Sequence, residues 1–171
     1  MTVPTGISPY AEANVFFRAM RQVAGWRPVS WVYARILPPT DRFVSRISGR
    51  TTTFVGLTSG LQVLLLTTTG AKTGAQRTTP VLYLRDGDDF VLIASNWGQE
   101  HNPGWYYNLR ANPKAKVTLS GSTRDVRARE VTGPQRDLYW QQGCRMYPAW
   151  NRYKTRSPQR EFPIMILSTA A

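Results

Sequence analysis

The pattern of apolar and polar positions changes period near residue 50. Before that point apolar residues recur at helical spacing. Tyr10, Ala13, Phe16, Phe17, Met20, Val23 and Ala24 share one face of a helix running from Pro9 to Gly25, with Glu12, Asn14, Arg18, Arg21 and Gln22 opposite. Pro9 suits a first turn and Gly25 a stop. An aromatic-rich, basic stretch from Trp26 to Leu37 ends at Pro38-Pro39. Thr40 caps a short predicted helix, Asp41 to Ser48, that stops at Gly49. From Thr51 onward the pattern is that of strands. Leu61 to Thr69 reads as a buried strand, and Gly70 to Gln76 as a turn. Arg77 to Arg85 reads as a strand that Pro80 confines to an edge or a bulge. Asp86-Gly87 is a hairpin signal, and Phe90 to Ser95 is the next strand. A helix follows near Pro103 to Ala111, terminated by Asn112-Pro113. Ala115 to Leu119 and Thr123 to Val131 form a hairpin around Ser120-Gly121. Pro134 opens a helix to about Met146, Tyr147 to Arg156 is a polar-aromatic connector, and Phe162 to Leu167 closes as a strand. The pattern predicts an α+β fold: about six mostly antiparallel strands in a small barrel, with helices around it. Residues 1–50 are expected to form a helical extension, and residues 51–171 the barrel domain.

Length and composition narrow the function. The 171 residues supply one sizeable core. No apolar run approaches the roughly 18 residues of a membrane span, and Pro4, Gly6, Pro9 and Glu12 interrupt any secretory signal. A cytoplasmic protein is expected. Single Cys144 and single His101 exclude an intrachain disulfide, a thiolate cluster and a multi-histidine centre, so no metal is expected. Cys144, within a predicted helix, reads as an inert buried thiol.

Charge changes the picture more. Lys and Arg total 22 against ten acids, for a net charge of +12, and 18 of the 22 are Arg. No acid lies between Asp41 and Asp86, a stretch that holds Arg42, Arg46, Arg50, Lys72, Arg77 and Arg85. None lies between Asp137 and Glu161, where Arg145, Arg152, Lys154, Arg156 and Arg160 occur. This bias calls for a polyanionic partner: nucleic acid, anionic lipid or a phosphorylated cofactor. A nucleic-acid partner is not expected, because no recognition-helix pattern is present and the aromatics suit a barrel and a pocket. The N-terminal helix, with Phe16, Phe17 and Met20 beside Arg18 and Arg21, suits either a lid over the barrel or peripheral contact with the inner face of a membrane.

Self-contained catalytic machinery is missing. Nothing around His101 resembles a nucleophile elbow, no carboxylate pair suits glycoside chemistry, and no Walker A lysine or dinucleotide fingerprint is present. A bound cofactor is therefore expected to supply the reactive atom. The most informative stretch is Thr67-Thr68-Thr69-Gly70-Ala71-Lys72-Thr73-Gly74-Ala75-Gln76-Arg77. A buried strand delivers it, two glycines let backbone approach a ligand, and the turn's N–H groups suit an anion. Lys72 and Arg77 add positive charge.

This stretch, followed in order by Leu84-Arg85-Asp86-Gly87, Ala94-Ser95, Pro103-Gly104-Trp105-Tyr106-Tyr107-Asn108-Leu109, Ala111-Asn112-Pro113, Tyr147-Pro148, Arg160 and Phe162-Pro163, resembles the deazaflavin-dependent nitroreductases. That family has a split β-barrel and uses coenzyme F420. The resemblance covers Leu61 to Leu167. It implies that Lys72 and Arg77 hold the cofactor's phosphate and oligoglutamate tail, with Gly70, Thr73 and Gly74 helping. It implies that Pro80 lies beneath the cofactor, and that Ser95, Asn96, Trp97 and Gly98 line the deazaflavin ring. Ala71 stands where the family often has Arg, and Trp97 where it often has Gly. Tyr147, Trp150 and Tyr153, three apart and so on one helical face, correspond to the family's cover over the substrate. Trp105 and Tyr106 read as core, and Asn108 as a loop tie.

The implied activity is hydride transfer from reduced deazaflavin to an electron-poor acceptor: a quinone, an enone or a nitroaromatic. Ser95, Tyr147 and Tyr153 are the candidate hydrogen-bond donors. The expected partner is a small apolar or aromatic acceptor, and the protein is expected as a monomer or homodimer. Two alternatives stay open on sequence alone: a split barrel that holds FMN, and a non-catalytic carrier of quinone, lipid or cofactor.

Overall fold

The computed structural model describes residues 61–169, together with Val15 and Ala19, which are helical and exposed. The rest of the expected N-terminal extension lies outside the described residues. So does Arg50.

Among the described residues seven strands form one sheet: β1 (Val63–Thr69), β2 (Gln76–Leu82), β3 (Leu84–Asp86), β4 (Asp89–Ile93), β5 (Lys114–Leu119), β6 (Ser122–Val131) and β7 (Ile164–Thr169). Their order is β2-β1-β5-β6-β7-β4-β3, and every pairing is antiparallel. Among the described residues 61–169, three helices accompany this curled sheet: α1 (Gly104–Ala111), α2 (Gly133–Met146) and α3 (Ala149–Arg156). A 3-10 turn, Asn96–Gly98, follows β4.

The expected single strand from Arg77 to Arg85 is two strands, which is why the sheet has seven strands and not six. β2 pairs with β1, whereas β3 pairs with β4, and one straight strand cannot serve both neighbours. The chain turns at Tyr83, whose ring is buried and meets Phe90 edge-on at 5.3 Å. Pro80 falls on β2, an edge strand, where a residue without an N–H is tolerated. The expected connector after Tyr147 is helical from Ala149.

β4 from Phe90 to Ile93 and β7 from Ile164 to Leu167 are apolar without a break because both faces are covered. Phe90, Leu92, Met165 and Leu167 face the inside of the curl with Leu64, Leu66, Trp105 and Tyr106. Val91, Ile93, Ile164 and Ile166 face the layer built by α2 and α3. By contrast β6 alternates, with Val126 and Ala128 buried and Arg127 and Arg129 exposed, as a strand covered on one face does. Leu92 is fully buried, so truncating it to Ala should cost about 2–5 kcal/mol.

The helical layer is fixed by close contacts. A Cβ at Gly143 of α2 would lie 2.6 Å from Ile93 Cδ1 and 2.7 Å from the Trp150 ring, so only glycine permits this approach. Tyr139 of α2 donates its hydroxyl proton to the Asp86 carboxylate and accepts from Gln135 at 3.2 Å. Burial, then the hydrogen bond and charge of Asp86, push its phenol up to about 12. Cys144 is buried and its thiol is pushed up to about 11 by desolvation, as an inert core thiol should be. No helix among the described residues is long and apolar enough to cross a membrane.

Candidate active site

A cleft of about 810 Å³ runs along the β2 edge, between the loop after β1 on one side and α3 with the segment after β4 on the other. Its two ends differ in construction.

At one end is the Gly70–Gly74 loop. Gly74 N–H donates to Gly70 O and Gly70 N–H to Ala75 O, each at 2.8 Å. Gly74 has φ +68°, and a Cβ at Gly70 would lie 2.8 Å from Thr73 Oγ1. Asn108 of α1, which also lines the cleft, ties the loop down. Its amide donates to Thr68 Oγ1, and its oxygen accepts from Ala71 N–H, both at 3.0 Å. Ala71, Lys72, Thr73 and Arg77 are exposed. Among the described residues no Asp or Glu lines the cleft, so its field is positive.

At the other end the chain leaves β4 and turns sharply. Asn96 (φ 47°), Trp97 (φ 57°) and Gly98 (φ 74°) are consecutive left-handed residues. Two of them carry side chains, each at a cost of about 1–2 kcal/mol. Asn96 Nδ2 donates to His101 O at 3.0 Å and lies 3.1 Å from His101 Nδ1. A Cβ at Gly98 would lie 2.8 Å from the Tyr153 ring. The Arg160 guanidinium binds this segment from its far side: to Ala94 O (2.9 Å), Ser95 O (3.0 Å), Asn102 Oδ1 (2.8 Å) and Gln99 O.

Tyr147, Trp150 and Tyr153 share one wall at this end, with Val63, Pro80, Leu82 and Ile93 completing an apolar floor. All three aromatics are 4% exposed or less, so they line the cleft mostly from beneath. Tyr147 meets Trp150 edge-on at 5.5 Å. The Trp150 indole N–H donates to Ser95 Oγ at 3.0 Å. Burial pushes the Tyr153 phenol up to about 12, against opposing effects of a Tyr147 hydrogen bond and the nearby Arg156. Arg156 lies 4.9 Å from the Tyr153 ring centroid. Tyr153 therefore stays protonated at neutral pH and gives up its proton reluctantly.

The cleft brings together Gly70, Lys72, Thr73, Arg77, Pro80, Ser95, Asn96, Trp97, Tyr147, Trp150 and Tyr153. Gly74 and Gly98 do not line it; they shape the two loops that do. Trp105 and Tyr106 are core, as expected, and Trp105 also lines the cleft. Tyr107 was not singled out, yet it lines the cleft and is 47% exposed. The signal was present: three consecutive aromatics on a helix are about 100° apart, and they cannot all face one core. Two cations of the second acid-free block are engaged within the fold. Lys154 donates to Pro158 O (2.9 Å) and Arg160 O (2.8 Å), and Arg160 is spent on the loop. Among the described residues, no group of three His, Cys, Asp or Glu side chains could hold a metal ion.

The cleft thus joins an open, cation-flanked backbone loop, across an apolar floor, to a buried aromatic wall. Residues 40–169 match the F420H(2)-dependent quinone reductase family, and the chain belongs to it. The F420H(2)-dependent quinone reductase Rv1261c of Mycobacterium tuberculosis is 37% identical over 111 residues, covering 61% of this chain and 72% of that protein. A solved F420-H2 dependent reductase, FDR-A, superposes with a TM-score of 0.57 at 33% identity, over 62% of this chain and 93% of that one. A second solved structure, described as a domain-swapped dimer, has a TM-score of 0.58 at 29% identity, over 82% of this chain and 99% of that one. The fold is thus the split barrel of these reductases, and the family is one of enzymes that depend on F420H2. Its description names F420H2 and gives the FMN alternative no support.

Proposed function

We propose that this protein binds coenzyme F420 along the cleft and uses its reduced form to reduce a quinone. The observation that carries this reading is the continuity of the cleft from the cationic Gly70–Arg77 loop to the Pro80 floor and the Ser95–Gly98 segment. The residues fit the cofactor's chemistry. Lys72, Arg77, Thr73 and the loop backbone would hold its phosphate and carboxylates. Pro80, Ser95, Asn96 and Trp97 would border its ring, with Gly74 and Gly98 giving both loops their shape. When bound and reduced, the deazaflavin supplies a hydride.

The protein's part is orientation and hydrogen bonding. Ser95 Oγ accepts from Trp150, which leaves its own O–H to donate into the cleft. Ser95 is therefore the foremost donor to an acceptor carbonyl. Tyr147 and Tyr153, sealed beneath, hold the wall in shape and supply a secondary polar contact. Trp150 sets the Ser95 hydroxyl, and the exposed Tyr107 ring offers the acceptor a surface at the cleft mouth. Enones and nitroaromatics present the same electron-poor character as quinones and extend the acceptor range.

The test is to mix the protein with reduced F420 and menadione and follow the recovery of deazaflavin absorbance. Turnover is expected. Binding of F420 without turnover would make the protein a carrier, and FMN bound more tightly than F420 with no deazaflavin oxidation would remove the reading. We place the protein in the cytoplasm, as a monomer or homodimer, with residues 1–35 as the segment that would touch an anionic membrane. Vesicle pelleting of the full chain and of a chain lacking those residues decides the membrane contact, and sedimentation the oligomeric state.

A further inference from the structure

Arg160 lies outside the cleft, yet its guanidinium collects four acceptors from one stretch of chain: three backbone carbonyls, of Ala94, Ser95 and Gln99, and the Asn102 side chain. Its planar group also lies 4.3 Å from the Phe162 ring centroid, which fixes its orientation. The stretch it binds contains the three left-handed residues, Asn96, Trp97 and Gly98. A segment with two side-chain-bearing residues in that conformation persists only where its surroundings over-determine it. Asn96 holds itself through His101, and Gly98 lies against Tyr153, but the carbonyls on the side away from the cleft are bound by Arg160. Ser95, at the head of the segment, is held twice: its carbonyl by Arg160 and its Oγ by Trp150.

We propose that Arg160 is a positioning residue for the reaction: by fixing Ala94 to Asn102 from behind, it sets the place of Ser95 and of the ring-facing backbone without touching cofactor or acceptor. The proposal rests on the functional reading above for its catalytic consequence, though not for its structural one. Lysine cannot replace this residue. An ammonium has three donors on one atom, and it cannot span acceptors that a five-donor fork reaches in a plane. The cofactor's tail would be bound at the opposite end of the cleft, so the loss should fall on turnover more than on affinity.

The experiment compares wild type with Arg160→Lys and Arg160→Ala. Amide hydrogen exchange over residues 94–102 is the first readout, and it needs no cofactor. In both variants the Gly98 and Gln99 amides, which bond to Ser95 O and Asn96 O, should exchange faster, while β6 and α2 keep their protection. The second readout is kinetic. A displacement near 1 Å at a reacting centre costs on the order of a hundredfold in rate, so kcat should fall by about ten- to a hundredfold while the Kd for F420 changes by less than about threefold. Added guanidinium should restore part of the Arg160→Ala turnover. Unchanged exchange over 94–102 in Arg160→Lys overturns the proposal, and so does a uniform loss of protection across the sheet, which would make Arg160 a general stability residue. A wild type that never oxidises reduced F420 removes the functional reading and leaves the exchange result to decide the structural half.

Discussion

The two ends of the cleft solve different problems by different means. The Gly70–Arg77 end is open: its cations are exposed, Asn108 ties its backbone to α1, and what it offers a ligand is positive charge. The Ser95 end is sealed: Tyr147, Trp150 and Tyr153 are buried, and its geometry depends on hydrogen bonds inside the fold. An exposed charge tolerates small displacements because a Coulomb interaction falls off slowly with distance. A hydrogen bond to a reacting group does not, because it weakens steeply with angle. On the proposed reading, one end holds the cofactor's charged, flexible tail, and the other fixes the angle of its ring and of the acceptor.

The largest expected effect tests the open end. If Lys72 and Arg77 hold the cofactor's tail as proposed, Lys72→Ala and Arg77→Ala each remove a charge-assisted contact worth about 1.5–3 kcal/mol, so each should weaken F420 binding by roughly ten- to a hundredfold. Binding should also weaken with added salt, since exposed charges are screened beyond about 10 Å at 0.1 M. At saturating F420, kcat should stay near wild type. Isothermal titration at two salt concentrations, together with steady-state kinetics, measures all three. If both variants bind F420 as wild type does, the anionic tail lies elsewhere.

Trp150 tests the sealed end. A stacking role, which its place on a helical face suggested, predicts that Trp150→Phe is mild. The structure gives the indole a different task, a hydrogen bond to Ser95 Oγ. Phe keeps most of the bulk and loses the donor. With one neutral hydrogen bond worth about 0.5–1.5 kcal/mol, Trp150→Phe should lower kcat by about two- to tenfold with F420 affinity unchanged and no new salt dependence. An effect confined to the KM of bulky quinones would return Trp150 to a stacking role.

The open end was legible in the sequence because its parts are adjacent. Eleven residues, Thr67 to Arg77, hold the strand end, both glycines and both cations. β1, β4 and β7 were legible for a similar reason, since a run such as Phe90-Val91-Leu92-Ile93 marks a strand covered on both sides. The hairpin at Ser120-Gly121 announced itself through residues that accept positive φ. The sealed end was legible only in part. Spacing grouped Tyr147, Trp150 and Tyr153 on one face but did not decide between packing onto the barrel and covering a substrate; in the structure the three are buried and also line the cleft. Trp150's partner is 55 residues away, and Arg160's acceptors are 58 to 66 away. Contacts of that range follow from sheet order, and the sheet order follows from the break at Tyr83, which no local pattern marked.

Tyr107 bridges the comparison, since it is aromatic like the sealed wall and exposed like the open loop. An aromatic contact adds about 0.5–1.5 kcal/mol beyond burial, so Tyr107→Ala should raise the KM for quinones by about two- to tenfold, with F420 affinity kept. Tyr107→Phe should match wild type. If Tyr107→Ala instead weakens F420 and spares the acceptor, the ring belongs to the cofactor.

The smallest effect is visible only in alkali, and the sealed end enters it through Tyr153. The Tyr153 phenol is raised from 10.0 to about 12, chiefly by burial, and Tyr139 from 10.0 to about 12 for the same leading reason. Between those values the unfolded chain has released a proton that the folded chain keeps. The unfolded state thus binds fewer protons, and stability falls as pH rises from 10 toward 12. Cys144 adds the same sign between 9.0 and about 11. Denaturant unfolding across this range should give a midpoint that is flat below pH 9 and declines above it. Tyr153→Phe has no phenol to release, so its decline should be shallower, by at most about 1.4 kcal/mol per pH unit. A variant whose alkaline slope equals that of wild type would mean that Tyr153 titrates normally and that the wall beneath Ser95 admits water.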